Sequence, residues 1–575
     1  MRIRYVSAVT LLLTLAALGG PVSAAPVPAP APAPLAGENL MPNGSAEEVN
    51  AQGQPTGWEL ANPAAATLTT ALGGCAGERC LQVERKADAP ADANASLTSP
   101  VAPTEAGWYL LSFWFKYDFP PESKPLPLVY VQRRAGADRT GWSGSPMYFY
   151  FANNPPSGEW HYAFLVLRQR ADQTGLQMRM DSQHMGRQLS LDSVQVRRLN
   201  LPATFTLLST NVIRTSYWGG EWVPDSDAMG GIAWRVTEGL FPPGSKMSGP
   251  VRTSELPGLY RATYRLKRQV PGGQPVGLNL SGGGGQTMET ILPEDFAENG
   301  KYQEFTAYFL YPFGGGTGCN WDWGGKGTYD FDMLKLELIR RVSDHEAWNL
   351  LYQGVDADRV LPAPPAAPVV AGAPPRAWLG FGLYTEESGL PKALTAAGFQ
   401  TNTSAISGDG KLVPTFPGTV GLRLMVLADV PARMLSPVEK FQIMRWVSNG
   451  GGLVVSGGPY GFGYGGTPGS FVGDLLPVTE DWAFDLYRLP QPAPVLRPNG
   501  EKLGMALWLH RAKPRDKAKV LLTAGGQPFA VGWQYGQGKV LALLGPPLGE
   551  PPSPYWENPA WTNQLANLLK WTAGL

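Results

Sequence analysis

A buried strand that runs straight into a glycine-rich turn most constrains the fold of this chain. The strand is the apolar run from Leu453 to Ser456, and the turn that follows, Gly457 to Gly466, contains six glycines. A nearly continuous apolar run precedes them at Leu422 to Leu427, as expected of strands that are covered on both faces of a sheet. In an open α/β sheet, the turn after such a strand borders the ligand crevice. We therefore expect an α/β domain with a site at this turn.

The segment between these two strands predicts a helix. Ser436-Pro437-Val438-Glu439 forms a capping box with proline at the first helical position. The helical pattern ends at Asn449-Gly450, where glycine favours a helix stop. Strand, helix and strand in close succession make a βαβ unit, which implies a parallel sheet. A last helix is predicted from Trp561 to Trp571.

The order of motifs in residues 376–575 resembles the class I glutamine amidotransferase superfamily. These motifs are the glycine turn, Asp429-Val430-Pro431-Ala432 after the preceding strand, Leu475-Leu476-Pro477-Val478, and Tyr535 to Ala542 before the last helix. Within that superfamily the chain looks like a branch of uncharacterised amidotransferase-like domains. The resemblance implies a flavodoxin-like α/β fold for this part of the chain.

The catalytic residues of that superfamily are missing. An amidotransferase needs a cysteine thiolate at the turn, with a histidine as base and a glutamate to orient it. The turn here offers Ser456, Gly457 and Gly458, and Gly545-Pro546-Pro547 stands where the histidine should follow its strand. The only histidine of the domain, His510, is predicted on a different strand. We therefore interpret the domain as non-catalytic, with Ser456 as the one catalytic candidate, and expect Gly457 and Gly458 to let a ligand or a neighbouring domain approach the backbone.

The N-terminus has the pattern of a secretory signal peptide over residues 1–24. Arg2 and Arg4 supply the positive charge, Val6 to Leu18 the apolar stretch, and Val22-Ser23-Ala24 the small-residue cleavage site. No later segment has the run of about 18 apolar residues that a membrane span requires, so none is predicted. The protein is expected to be secreted or periplasmic.

Two segments rich in proline and alanine divide the rest of the chain. The first covers residues 25–36 and the second residues 351–375, and both are predicted to be semi-rigid linkers. Between them, runs rich in aromatic and branched residues alternate with turns of Gly, Pro, Asn and Asp. This pattern indicates two tandem β-sandwich (jelly-roll) domains, at residues 37–200 and 201–350.

The first sandwich resembles the galactose-binding-like jelly rolls of carbohydrate-binding modules. The resemblance lies in Asn39 to Glu48, which opens the domain, and Leu191 to Val196, which closes it. In such modules an acidic residue of the opening motif and the aspartate before the last strand often hold a structural calcium. This implies Glu48 (or Glu47) and Asp192 as calcium ligands here. The alternative is that these carboxylates are solvated or hydrogen-bonded at strand ends. No other cofactor is expected.

The second sandwich looks like a degenerate copy of the first. Gly258 to Tyr264 is similar to Gly107 to Phe113, and Gly300 to Phe305 is similar to Gly158 to Ala163. In each copy the first segment begins a long strand and the second precedes another. Two related sandwiches are therefore predicted.

Sugar binding uses flat aromatic faces beside planar polar side chains at the surface. Two segments combine such residues among glycines, Tyr217 to Trp222 and Gly318 to Gly324, and both are predicted to be exposed loops. They supply the candidate ligand-binding residues Trp218, Glu221, Trp222, Trp321, Asp322 and Trp323. The alternative is that these tryptophans pack between domains. Trp108, Trp114 and Trp160, by contrast, lie in strand patterns and are predicted to be core.

The cysteines predict one disulfide, and the charge balance excludes one class of partner. Cys75 and Cys80 are predicted to close a small loop as a disulfide in an oxidising compartment, which leaves Cys319 as a buried thiol. The 47 basic and 47 acidic residues balance, so nucleic acid is not an expected partner.

These features predict a secreted, non-catalytic, multimodular protein that binds a polysaccharide or cell-surface glycan through its sandwiches. The amidotransferase-like domain would then bind a ligand or another protein. One alternative is a hydrolase acting on glycans or amides, with Ser456 or a pair of carboxylates as catalysts. The carboxylate candidates are Glu221, Asp225, Asp227, Glu289 and Asp322. A purely structural envelope protein with buried tryptophans is the third possibility.

Overall fold

The computed structural model describes most of the chain. The described residues are 34–90, 95–118, 128–135, 147–148, 158–181, 188–202, 209–213, 216–217, 219–248, 258–282, 285–311, 317–361, 365–405, 418–435, 437–480 and 485–575. The predicted signal peptide and most of the first linker lie outside these residues.

The first sandwich contains two sheets that enclose a core. Its strands are β1 (Ala36–Asn39), β2 (Glu59–Ala61), β3 (Ala66–Leu72), β4 (Arg79–Arg85), β5 (Ser96–Thr98), β6 (Ala102–Pro103), β7 (Gly107–Asp118), β8 (Leu128–Ala135), β9 (Met147–Tyr148), β10 (His161–Gln169), β11 (Gln173–Asp181) and β12 (Gln188–Leu199). One sheet has the order β10-β7-β12-β4-β3, with β1 beside β12. The other has the order β2-β5-β11-β8-β9, with β6 beside β11. Leu97, Leu111 and Met178 meet in the core between them.

The second sandwich repeats this strand order. Its strands are β13 (Ser209–Ile213), β14 (Ser216–Tyr217), β15 (Glu221–Pro224), β16 (Ile232–Thr237), β17 (Gly244–Ser248), β18 (Gly258–Arg268), β19 (Val276–Gly282), β20 (Gly285–Ile291), β21 (Tyr302–Tyr311), β22 (Thr317–Trp323) and β23 (Thr328–Arg341). Strand β18 lies between β21 and β23, as β7 lies between β10 and β12. The segments that are similar in sequence thus occupy equivalent places in the two sandwiches.

The two sandwiches share one continuous sheet. It has eleven strands among the described residues, because β10 of the first sandwich pairs in parallel with β20 of the second. Alternate residues of β10 therefore face different cores: Leu165 lines the first and Phe164 the second. Trp108 and Trp114 of β7 are buried, as predicted, but in the core of the second sandwich. The second sandwich thus covers the outer face of the first.

The C-terminal part is an open mixed sheet with helices on both faces. Two helices lead into it, α1 (Asp344–Leu351) and α2 (Ala357–Val360). The strands of this part are β24 (Arg376–Phe381), β25 (Gln400–Ala405), β26 (Leu424–Ala428), β27 (Gly452–Ser456), β28 (Val478–Thr479), β29 (Leu486–Leu496), β30 (Lys502–His510), β31 (Lys513–Pro514), β32 (Lys519–Ala524), β33 (Gln527–Tyr535) and β34 (Gly538–Leu543). Strands β28 and β31 pair with each other in a separate two-stranded sheet. The helices of this part are α3 (Leu390–Ala396), α4 (Pro437–Ser448), α5 (Phe462–Gly465), α6 (Phe471–Leu475) and α7 (Pro559–Ala573).

Five neighbouring strands of this sheet are parallel. They have the order β25-β24-β26-β27-β34, and the antiparallel strands β33, β32, β29 and β30 continue the sheet. The predicted unit of strand, helix and strand is confirmed as β26, α4 and β27. Helices α3 and α7 cover one face of the sheet, against Leu379 and Val454, while α4 covers the other, against Met425 and Val455. The carboxyl ends of the parallel strands therefore meet at one edge.

Helix α1 joins the sandwiches to the C-terminal sheet through buried contacts. Asp344 forms a buried ion pair with Lys440 of α4 (2.6 Å) and accepts a hydrogen bond from the Phe471 N–H group (2.9 Å). The Trp348 ring stacks on Phe441, with ring centroids 3.9 Å apart. The second linker also contacts this domain, because the Ala367 N–H group donates to the Leu422 carbonyl (3.0 Å).

No helix in the described part of the chain combines the length and the hydropathy that a membrane crossing requires.

Candidate functional site

The predicted glycine turn follows β27 at the carboxyl edge of the C-terminal sheet. Gly457 and Gly458 are both buried there. A Cβ atom at Gly457 would lie 2.5 Å from the Nε2 atom of His510, and one at Gly458 would overlap the Asp429 carboxyl group. Glycine is therefore required at both positions, because two polar side chains approach the backbone too closely for any other residue.

The turn faces a buried histidine held by an aspartate. The Nδ1 atom of His510 lies 2.9 Å from the Oδ2 atom of Asp485, and both side chains are buried. A carboxylate only accepts hydrogen bonds, so Nδ1 carries the proton and donates it. The Nε2 atom is buried and has no hydrogen-bond partner among the described residues. The Phe462 ring packs against the imidazole, with centroids 4.9 Å apart. The result is an oriented imidazole with one unused nitrogen beside the turn.

The antiparallel strands bring this histidine to the turn. His510 does lie on a different strand from the turn, as predicted, since it ends β30. That end bends back over β34, where the His510 N–H group donates to the Leu544 carbonyl (2.9 Å). Asp485 was not a candidate residue, although it immediately precedes β29, which pairs with β30 at Leu486 and His510. The described residues show no hydrogen bond between His510 and Ser456, which is buried at the end of β27.

Asp429 adds a second carboxyl group on the other side of the turn. It follows β26 with a left-handed backbone (φ +53°), and its Oδ1 atom accepts a hydrogen bond from the Tyr460 N–H group (2.7 Å). Its Oδ2 atom is buried without a hydrogen-bond partner in the described structure. Burial raises the pKa of Asp429 to about 6, against the lowering effects of the Tyr460 hydrogen bond and of His510. The turn thus lies between the Asp429 carboxyl group, whose pKa is raised, and the Nε2 atom of His510, which has no hydrogen-bond partner among the described residues.

We expect Asp429→Asn to stabilise the protein above pH 7 but not near pH 4. The folded-state pKa lies about two units above the ordinary value, so the protonated carboxyl contributes stability in full below pH 4. That contribution, about 3 kcal/mol, is lost as the pH rises through 6. Asparagine keeps the acceptor for Tyr460 and removes the titration. Thermal unfolding midpoints from pH 4 to 8 check this, with the exposed Asp516→Asn as control; equal pH profiles for wild type and Asp429→Asn would contradict it.

The predicted exposed loop at residues 318–324 is wrong, because residues 318–323 belong to strand β22. Trp321 and Trp323 are fully buried, and Trp321 stacks on Phe331 with centroids 5.7 Å apart. Asp322 lies on the opposite face of β22, because successive side chains of a strand point to opposite faces. It receives a hydrogen bond from Asn279 there. These three residues therefore do not form one sugar-binding surface.

The same alternation separates Glu221 from Trp222 in strand β15. Trp222 is 45% exposed, and its ring meets that of Trp234 edge-on, with centroids 5.3 Å apart. Glu221 is exposed on the other face, directly opposite Arg235 of β16. Trp218 lies outside the described residues. Of the predicted tryptophans that the structure describes, only Trp222 is at the surface.

The carboxylates of the predicted calcium site are bound to backbone N–H groups. Asp192 accepts hydrogen bonds from Ala76 (2.8 Å) and Ser193 (2.6 Å), and Glu47 accepts from Glu78 (2.9 Å) and Arg79 (3.0 Å). The Glu48 side chain is exposed. The described residues contain no group of three His, Cys, Asp or Glu side chains placed to hold a metal ion. Both carboxylates thus accept backbone hydrogen bonds, which is what the alternative to calcium predicts.

The predicted disulfide is not formed, since Cys75 and Cys80 are separate buried thiols. Burial and the neighbouring Asp192 raise the pKa of the Cys75 thiol, which hydrogen-bonds to that carboxylate. Cys319 is also a buried thiol, in agreement with the prediction.

Comparisons with known proteins give similar structures but no family. No protein-family model matches the sequence, and neither does any curated protein. The solved structure of cytoplasmic protein STM3548 from Salmonella typhimurium is 18% identical over 34% of this chain and 98% of its own, with a TM-score of 0.29. The tandem CBM22-1–CBM22-2 domain of Xyn10C from Paenibacillus barcinonensis is 14% identical over 54% of this chain and 99% of its own (TM-score 0.21). A family 16 carbohydrate-binding module is 16% identical over 28% and 99% (TM-score 0.20). TM-scores of this size assign no ligand to this chain.

Proposed function

We propose that this chain is an exported, multimodular protein that binds a polysaccharide or cell-envelope glycan through its β-sandwiches. Its C-terminal part is, in this proposal, an amidotransferase-like domain of flavodoxin-like fold that binds a ligand or a protein without catalysing a reaction. The observation that carries glycan binding is the exposed Trp222 ring at the edge of the second sandwich.

Trp222 has the properties of a binding anchor. Among the described residues it is the one tryptophan that is exposed. Its edge-on contact with Trp234 holds the ring in place, so little side-chain entropy remains to be lost on binding. Met229 and Ile232 are also exposed near this edge. A fixed, exposed aromatic ring that presents an apolar face is what sugar rings stack on.

Trp222→Ala should therefore weaken the binding of the polysaccharide that the full chain retains by about tenfold or more, since loss of a central aromatic anchor typically costs on the order of 1–2 kcal/mol or more. Affinity electrophoresis in gels containing the polysaccharide measures this. Leu240→Ala, which removes another exposed apolar side chain of the same sandwich, is the matched control. Unchanged retention of Trp222→Ala would refute a role for this ring, and a full chain retained by no polysaccharide would refute glycan binding.

The residues at and around the glycine turn support a C-terminal domain that does not catalyse a reaction. Five parallel strands with a crossover helix agree with the fold that the sequence resemblance implies. The domain has no cysteine, and the imidazole of His510 is not hydrogen-bonded to Ser456. A serine hydroxyl without a base remains protonated and unreactive near neutral pH.

A hydrolase is the second candidate, and the buried pair of Asp485 and His510 is the observation that favours it. An imidazole oriented by a carboxylate is the base of many hydrolases. A cavity of about 210 Å³, lined in part by His510 and Tyr487, lies beside the pair. Turnover of an ester, amide or glycoside substrate that is lost in both His510→Gln and Ser456→Ala would establish this candidate. Turnover that neither substitution affects would exclude it.

A further inference from the structure

A cavity of about 210 Å³ opens beside the end of strand β30 in the C-terminal part. Liquid water occupies about 30 Å³ per molecule, so the cavity has room for a small molecule. None of its described lining residues belongs to the glycine turn. Those that can form polar or charged contacts are Thr479, Tyr487, His510, Arg511, Lys513 and Gln527. Three of these six are basic, and the described lining contains no acid.

The basic residues of the cavity come from one segment of the chain, residues 511–519. Every second residue of this segment is basic: Arg511, Lys513, Arg515, Lys517 and Lys519. Asp516 is its one acid. The 47 acids and 47 bases of the whole chain balance, so this segment carries a local excess of positive charge. A cleft lined by one sign of charge concentrates ions of the opposite sign.

The short sheet of β28 and β31 forms one side of the cavity. Lys513 of β31 lies directly opposite Thr479 of β28, so the two side chains share a face. The Arg515 side chain donates hydrogen bonds to the carbonyl groups of Val478 (3.2 Å) and Gly473 (3.1 Å), which holds β28 in place. This side of the cavity is therefore ordered before a ligand arrives, which lowers the entropy cost of binding.

An aromatic ring orients Arg511 on the other side. Tyr487 of β29 lies opposite Leu509 of β30, and Arg511 follows two residues after Leu509. The guanidinium carbon of Arg511 is 4.9 Å from the centroid of the Tyr487 ring. Arg511 is exposed, and its guanidinium has no carboxylate partner among the described residues. A guanidinium placed in this way offers two parallel N–H groups to an oxyanion.

The described acids next to the cavity leave its positive charge largely uncancelled at neutral pH. Asp485 is buried and pairs with the Nδ1 atom of His510 (2.9 Å). Burial raises the pKa of Glu480, which follows Thr479, to about 8, so this carboxyl group is mostly neutral at pH 7. The Nε2 atom of His510 is buried without a hydrogen-bond partner in the described structure. One hydrogen-bonding position of this lining residue is thus unused.

We propose that this cavity binds a small oxyanion, whose carboxylate or phosphate group lies between Arg511 and Lys513. The two groups belong to one class, because both present the paired oxygens that a guanidinium binds. Thr479 and Gln527 supply neutral hydrogen-bonding groups for the rest of the molecule. The inference rests on the proposed function in that it names a ligand class for the C-terminal domain, and it does not depend on glycan binding.

Isothermal titration calorimetry of the full chain with succinate and with inorganic phosphate tests this inference. The ionic strength is held at about 0.15 M with potassium chloride, so that screening is the same in every titration. We expect saturable binding of at least one of these anions and no binding of succinamide, the neutral analogue of succinate. Binding of succinate alone or of phosphate alone identifies which oxyanion the cavity prefers, and either result supports the inference.

Substitutions of Arg511 separate this site from general attraction between charges. Arg511→Gln should weaken binding about tenfold or more, since it removes hydrogen bonds to a charged group. Arg511→Lys keeps the charge without the planar fork and should recover only part of the loss. Arg488→Gln is the matched control, because Arg488 is exposed on the opposite face of β29 from Tyr487. Both arginines are exposed, so the ligand-free variants should unfold at nearly the same temperature as wild type.

Three results would overturn the inference. They are the absence of saturable binding of either anion, binding that Arg511→Gln leaves unchanged, and an equal loss of binding in Arg488→Gln. A chain that binds neither anion but is retained by a polysaccharide loses only this inference. A chain that binds an anion in this cavity but is retained by no polysaccharide loses only the glycan proposal.

Discussion

Lys440→Met is expected to lower the free energy of unfolding by about 3–5 kcal/mol, because it leaves the buried Asp344 carboxylate without its counter-ion. The Nζ atom of Lys440 lies 2.6 Å from Asp344, and both side chains are buried between α1 and α4. Burial lowers the pKa of Lys440, and the neighbouring Asp344 opposes that shift. Urea unfolding of the full chain, followed by tryptophan fluorescence, measures the loss.

A double variant separates the ion pair from simple packing. In Lys440→Met combined with Asp344→Asn, no unpaired charge remains and the amide oxygen can still accept from Phe471. We expect this variant to recover more than half of the lost stability. His345→Ala breaks a mostly exposed hydrogen bond with Asp474 at the same junction and should cost less than about 1 kcal/mol. A double variant as unstable as Lys440→Met would show that the charge pair is not the cause.

The free energy of unfolding of the wild type should fall strongly between pH 5 and 9, and Glu480→Gln should abolish most of this fall. Glu480 is half-buried: one of its oxygens accepts from the Thr467 hydroxyl, and the other is buried without a partner among the described residues. Burial raises its pKa to about 8, opposed by the Thr467 hydrogen bond. The neutral acid therefore stabilises the fold in full below pH 4.5, and this contribution is lost as the pH rises through 8. At about 1.4 kcal/mol per pKa unit, the loss amounts to up to about 5 kcal/mol.

Glutamine has nearly the shape of the neutral acid, so wild type and Glu480→Gln should be similarly stable at pH 5 and differ by several kcal/mol at pH 9. Calorimetric unfolding at a series of pH values gives this comparison. The exposed Glu557→Gln should follow wild type at every pH. A Glu480→Gln profile that falls as steeply as that of wild type would place the titration at another group.

Local sequence patterns predicted the elements of the C-terminal sheet well. The capping box at Ser436 to Glu439 and the stop at Asn449-Gly450 bound helix α4 within a residue. The apolar runs likewise predicted β26 and β27. These predictions succeed because helix caps, propensity and burial pattern all depend on a few neighbouring residues. The internal similarity likewise placed β7 and β18 at equivalent positions.

The errors arose where distant residues decide the structure. Gly318 and Gly324 suggested a loop around Trp321, but pairing with β17 and β19 makes it a strand with a buried tryptophan. His510 reaches the glycine turn only because the end of β30 bends over β34, which no local pattern reveals. A tryptophan does pack between the sandwiches and the C-terminal sheet, but it is Trp348, which stacks on Phe441 and lies outside both predicted loops.

The location of the proposed glycan-binding surface is the most direct test of the account. Hydrogen–deuterium exchange of the full chain, with and without the polysaccharide that it retains best, locates any such surface. We expect slower backbone exchange in the edge strand β15 (Glu221–Pro224), which carries Trp222, with the glycine turn unchanged. Protection confined to residues 457–466, or no protection of β15, would contradict glycan binding at the Trp222 edge of the second sandwich.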